Sequence, residues 1–419
     1  MASEVKFTKC DLLLNLAGFV LYSADIATDL WVAAVYLFEG HFIWCVLVLT
    51  VTLVSAVILQ SFSWTWYKDD EERQQDHSET EGSHNQVCKC GCSWLLVIHI
   101  FQMGIPMRFI KALMLGYKAA IKQKDTHMDA IYAATDLSML RLFEAFLETA
   151  PQLVLQTFIL LVSTDRDYVK YGSVIVSCMS ISWATLDYYA ALKKSLPAQQ
   201  TVTCGFPYVM YFFYKLLTLG SRILSITLLT MLSVAAAAYL FVLWLIMFIC
   251  VTRQKTIFCK SRCQEIVYRM VVGIILVFTF FNIKGQNTQA VMALYYIFRT
   301  FETTIILLLC WLLKGSALDI NYYLSISITI GLSLVIGIVC LVLYYRCFHP
   351  HVYSEAATDE DSNNSHTTSQ PYRSHDEIDG FLPESSAVRL NINEISNMIH
   401  SSVPNPRGGN SRIRHCLTY

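Results

Sequence analysis

Apolar runs of about 20 residues recur along the chain, and polar residues stand inside them as well as between them. The runs predict membrane-spanning helices at residues 12–37, 42–65, 137–162, 171–192, 207–229, 231–251, 291–313 and 322–346. Two further apolar segments are broken. Residues 93–117 contain Gly104, Pro106, Arg108 and Lys111, and residues 265–288 end in the polar run FFNIKGQNT. Both predict helices that enter the membrane and turn back, which is tolerated only where protein or water lines the irregular backbone. The predicted fold is therefore all-α and polytopic, with about eight transmembrane helices in two similar lobes, residues 1–205 and 206–350. Each lobe has a re-entrant or half-membrane helical element, and a disordered cytoplasmic tail follows over residues 351–419.

The polar residues inside the runs share faces. Arg141, Glu144, Glu148 and Gln152 fall within roughly an 80° arc of one helix, and Asp11, Asp25 and Asp29 within roughly 40° of another. A charge at the bilayer centre costs on the order of 3 kcal/mol even on the lenient insertion scale, so neither face points at acyl chains. Such faces are either interior salt-bridge networks or polar pathways, and the residue pattern leaves both open. In particular, Arg141 and Glu144 read equally as a structural ion network and as supports of a path through Glu148. Asp187 stands near the end of the fourth run, Lys215, Thr218, Arg222 and Ser225 share one side of the fifth, and Arg299 and Glu302 are three apart and able to pair. Paired interruptions in two halves mark the functional centre of transporter-like folds.

Composition narrows the class. Of 419 residues, 55% are hydrophobic and only 15% charged, with a mean hydropathy of +0.45, which no soluble domain of this length matches. A net charge of -1 gives nucleic acid no purchase. The 14 cysteines follow no disulfide framework. Cys45, Cys178, Cys250, Cys310 and Cys340 lie in apolar runs as small hydrophobes. Cys88, Cys90 and Cys92 lack the paired spacing of a zinc site, so no metal and no cofactor are expected. Without G-x-S-x-G, HExxH or paired aqueous carboxylates, an enzyme is not expected and no catalytic residue is assigned. Basic residues at Lys68, Arg73, Lys118, Lys122, Lys124, Lys193, Lys194, Arg253–Arg262 and Arg346 fall on the side of the termini, which predicts both termini to be cytoplasmic.

The tail carries a motif of its own. Asp376-Glu377-Ile378-Asp379-Gly380 has the form of an executioner-caspase substrate, with Asp before the scissile bond, Asp three residues earlier and a small residue after it. An extended, mobile backbone of this kind is what a protease needs. Beyond the cut, Val388, Ile392, Ile395 and Ile399 recur on one helical face and predict an inhibitory amphipathic helix that needs a docking surface.

The stretches LRLFEAFLETAPQLVLQ at 140–156, SADIATDLW at 23–31, ISWATLDYYAALKKSLP at 181–197 and FTFFNIKGQNT at 278–288 resemble the XK-related membrane proteins. The resemblance implies a phospholipid scramblase of the plasma membrane that exposes phosphatidylserine in apoptosis once caspase removes the tail after Asp379. It implies two similar helical lobes with half-membrane elements. It also implies a stairway of charges for the headgroup at Asp11, Asp25, Asp29, Glu148, Asp187, Arg222 and Glu302, with Trp44 guarding the outer opening. Ala190 stands where some relatives carry an arginine three residues after the aspartate. Partners implied are membrane phospholipids and the caspase, with no obligatory single-span subunit and with homodimerisation left open. The competing function is a transporter or channel for a small polar or cationic solute, which acid-rich faces and broken segments support as well.

Overall fold

The computed structural model describes residues 6–80, 91–122, 126–162, 168–195, 205–233, 235–254, 258–259, 261–281, 288–314 and 320–348. Among these, regular structure is entirely helical. Helix α1 (Lys9–Phe38) opens with a capping box: Thr8 donates from its backbone N–H to Asp11 Oδ2 at 2.6 Å, and the Asp11 N–H donates to Thr8 Oγ1. Gly40, at φ +78°, makes the turn into α2 (Phe42–Thr80). At 39 residues α2 is about 58 Å long, nearly twice the hydrocarbon thickness. The helix runs on past the apolar span expected at 42–65. The polar stretch after it is rich in Lys, Glu, Arg and Gln, with neither Gly nor Pro before Gly82, so helix propensity carries the same helix out of the apolar zone.

The first broken segment is a helix pair. α3 (Gly91–Ile100) and α4 (Gly104–Ala120) meet at Gln102, whose φ of +62° lies in the left-handed region. At 10 and 17 residues, about 15 and 25 Å, each falls short of a full crossing. Arg108 anchors the pair to α2. It donates to Ser63 Oγ and Ser63 O, each at 3.1 Å, and stacks over Tyr67 at 4.2 Å. The second broken segment is the single helix α10 (Arg262–Phe278).

Helix α5 (His127–Glu144) runs through a π turn at Ala145–Thr149 into α6 (Ala150–Val162). Pro151 explains the widening, since it has no N–H for the Leu147 carbonyl and its ring crowds that oxygen. The ladder loosens just ahead of it, and the Ala150 N–H reaches back to Ala145 O. There follow α7 (Tyr168–Ser195), α8 (Phe206–Leu232), α9 (Ala235–Arg253), α11 (Thr288–Lys314) and α12 (Ile320–Leu343), which ends in a π turn at Tyr344–Phe348.

Seven of the described helical stretches are long and apolar enough to cross a membrane: Lys9–Phe38, Phe42–Asp70, His127–Val162, Phe206–Leu232, Ala235–Arg253, Ala290–Leu313 and Tyr323–Arg346. The remaining expected span is α7, which has the length, 28 residues, but not the apolarity. Ser173, Ser177, Ser180 and Ser182 dilute it, and Thr135 Oγ1 of α5 reaches its Ala191 carbonyl at 3.2 Å. Large apolar side chains cover the outside, among them Leu13, Trp31, Phe38, Ile43, Leu294 and Leu312, each more than 60% exposed. A surface this apolar belongs in lipid. The chain is a multi-pass membrane protein.

One hydrophobic core joins the two halves. Leu59, Phe62, Phe109, Leu140, Phe143 and Phe146 pack in the same cluster as Ile181, Leu219, Val271 and Ile275. Cys45 and Cys310 are buried free thiols, as their apolar settings predict. Cys88 and Cys90, the side chain of Cys92, the caspase motif Asp376–Gly380 and the tail positions Val388, Ile392, Ile395 and Ile399 lie outside the described residues.

Candidate functional site

Two charged clusters stand inside the apolar zone, and they are built on opposite principles. The first lies among α1, α2 and the α5–α6 helix. Asp25 accepts a hydrogen bond from Thr149 Oγ1 at 2.8 Å. Asp29 is buried, and its electrostatic neighbours are Asp25 and Glu148. Glu148 comes within reach of Ser55 and Thr52 on α2 and of Asp29. Gln152, 2% exposed, donates to Thr52 Oγ1 at 2.9 Å, while its Oε1 finds no partner among the described residues. Glu144 faces Asp25 and Arg141.

Arg141 is the cation at the centre of these acids. It is 4% exposed, lies 5.8 Å from the Phe109 ring, and faces Asp25, Glu144 and Asp187. Its Nε and Nη1 nevertheless have no hydrogen-bond partner among the described residues. Gly18 of α1 makes room for it, because a Cβ there would stand 2.5 Å from Nη1. Asn15 Nδ2, one turn earlier on α1, is also buried and unpartnered. Asp25, Glu144 and Asp187 thus face one incompletely paired guanidinium, and Asp29 and Glu148 group beside Asp25. Buried polar groups are costly unless paired or hydrated, so this cluster is suited to taking up water or a polar guest.

The π turn shapes this cluster. It inserts a wider turn between Glu144 and Glu148, so the two carboxylates do not stack in strict α register. Glu144 stays with Arg141, and Glu148 swings toward α2 and Asp29. Thr52, Ser55 and Thr149 complete the surroundings, and the sequence reading did not single them out. Thr52 and Ser55, three apart, are among several hydroxyl residues in the α2 run and carry no signal that sets them apart.

The second cluster is densely paired, although Arg222 Nη2 has no partner among the described residues. Glu302 of α11 accepts from Arg222 Nη1 and from Arg299 Nη1, each at 2.8 Å, and from Tyr239 OH at 2.5 Å. These cations also serve α10. Arg222 Nε donates to Val277 O at 3.1 Å, Arg299 Nη2 to Leu276 O at 3.1 Å and also to Val277 O, and Lys215 Nζ to Phe280 O at 3.1 Å. The last carbonyls of a helix lack intrahelical donors and carry its negative end, so three cations gathered there form a cap for a helix that stops within the apolar zone. Arg299 and Glu302 pair as their spacing predicts. The role of Lys215, Tyr239 and the α10 carbonyls was not visible in the sequence, since it depends on where α10 stops.

Of the other expected positions, Asp187 borders the first cluster through Arg141, and Asp11 and Trp44 lie apart from both. Asp11 closes the capping box of α1 and forms an ion pair with Lys194 of α7. Asp187, with Trp183, Ala190, Tyr208 and Phe212, lines an apolar cavity of about 320 Å³ between α7 and α8. Trp44 is half-buried in the first turns of α2, its ring 6.1 Å from Phe158. From Asp11 to Asp29 the α1 helix rises about 27 Å, close to the hydrocarbon thickness.

Comparison with known proteins gives one consistent answer. A family model described as XK-related protein matches residues 13–350. An XK-related protein 9 of Tetraodon nigroviridis is 36% identical over 85% of this chain and 94% of its own length. XK-related protein 8 of Pan troglodytes is 33% identical over 81% of this chain and 84% of its own, and that of Gasterosteus aculeatus 30% over 85% and 88%. Likeness of this extent, running through both charged clusters and both broken segments, is likeness by descent: the chain belongs to the XK-related family.

Proposed function

We propose that this protein is a phospholipid scramblase of the plasma membrane, exposing phosphatidylserine in apoptosis once an executioner caspase removes the tail after Asp379. Scrambling needs neither hydrolysis nor a gradient. Its barrier is the passage of a charged headgroup through about 30 Å of hydrocarbon, and a hydrated polar track lowers that barrier while acyl tails stay in lipid. The observation that carries the reading is the under-paired cluster of Arg141 with Asp25 and Glu144, continued by Asp29 and Glu148, set in helices whose outer faces are apolar. Phosphate is matched by the free N–H groups of Arg141, and the amine or choline by the carboxylates. Arg222 and Glu302, engaged with each other and with α10, support the track by holding its second wall rather than by meeting the headgroup.

An excess of acids also favours a channel or transporter for a small cation. One experiment separates the two. Purified protein truncated after Asp379 goes into liposomes with fluorescent phospholipid in both leaflets, and a membrane-impermeant reagent bleaches the outer leaflet. Bleaching is expected to continue past half the signal with the truncated protein and to stop near half with the intact one. Near-half bleaching with both, together with cation flux, would establish the channel reading instead.

A further inference from the structure

Beside the second cluster lies a small, partly open space of about 20 Å³, walled by Arg222, Arg299, Thr218, Ser221, Thr303 and Tyr295. About 10–15 Å³ on this measure holds one water-sized guest. Arg222 is 4% exposed, and its Nη2 is buried without a partner among the described residues. The hydroxyl groups nearby are already committed, Thr218 to Tyr214 O at 2.8 Å and Ser221 to Ile330 O at 3.0 Å. Charge is also unbalanced. Arg222 and Arg299 face one carboxylate, Glu302, which leaves one positive charge in a low-dielectric setting.

We propose that this space is a monovalent-anion site, taking a single halide, chloride in the cell, against Arg222 Nη2. A free N–H, a surplus positive charge and a cavity of monatomic size point to the same guest. A chloride ion is little larger than water and so matches the room beside the guanidinium. The site stands on the geometry of α8, α10 and α11 and does not depend on the lipid reading above.

The test is thermal unfolding of the purified full-length protein at constant ionic strength, with sodium gluconate replaced stepwise by sodium chloride, bromide or sulfate. Chloride and bromide are expected to raise Tm along a saturating curve, gluconate to leave it unchanged, and sulfate to raise it only gradually and without saturating. Thr303→Leu, which fills the cavity, is expected to abolish the halide shift. If that variant does not fold, the anion ranking on the unaltered protein decides alone. Equal Tm in chloride and gluconate, meaning that water occupies the space, overturns the site. So does a rise as large in sulfate, which is a bulk salt effect.

Discussion

Glu148 and Glu302 are equally buried, 7% and 6% exposed, yet they make opposite demands on their surroundings. Glu302 has two guanidiniums and a phenol in direct contact; Glu148 has hydroxyls and another carboxyl. Substitution should therefore separate function from stability. Arg299→Ala strips a buried ion pair and four hydrogen bonds to α10 and Tyr295, and is expected to cost about 3–5 kcal/mol, seen as lost folded protein in size-exclusion chromatography. Glu148→Gln keeps size and hydrogen-bonding capacity, and is expected to leave Tm nearly unchanged. Its scrambling rate in liposomes should nevertheless fall about tenfold, which needs only about 1.4 kcal/mol of added barrier. A helical wheel alone tells that Arg141, Glu144, Glu148 and Gln152 avoid lipid. It does not tell which charges are satisfied, because that depends on partners from helices distant in sequence, such as Asp25 for Thr149 and Arg222 for Glu302.

At the scale of elements, the α5–α6 helix owes its register to a single proline. Pro151→Ala restores a donor to the ladder and removes the reason for the π turn, so the helix itself should become more favourable. Glu148 would then rotate away from Asp29 and α2. The variant is expected to match or exceed the parent in thermal stability while scrambling more slowly, and an unchanged rate would show that this register is immaterial to transport. The broken segments were legible as interruptions, from Gly104 and Pro106 in one and from the polar end of the other. What interrupts them was not, since the left-handed Gln102 and the cation cap on α10 arise from tertiary contacts. The extension of α2 past its span is not legible from hydropathy, which marks where lipid stops while helix propensity continues past it.

At the scale of the whole molecule, the hydrophobic cluster running through both halves means that a polar track cannot open by sliding two independent bodies apart. Rearrangement has to come from the loosely paired region around Arg141, and the proposed trigger acts on it from the tail. Asp379→Ala is accordingly expected to abolish phosphatidylserine exposure through this protein after caspase activation in cells, measured by annexin binding, while leaving surface expression intact. Persistent exposure would mean that another cut or modification releases the resting state.

The cap on α10 also has a consequence for biosynthesis. Leu276 and Val277 present carbonyls to the apolar zone, and Arg299, one of the residues that satisfies them, is made 22 or 23 positions later. A bare backbone carbonyl in hydrocarbon costs several kcal/mol. Val277 O already has Arg222 of α8 as a donor, whereas Leu276 O waits for Arg299 and Tyr295, so the end of α10 is fully capped only once α11 has been made.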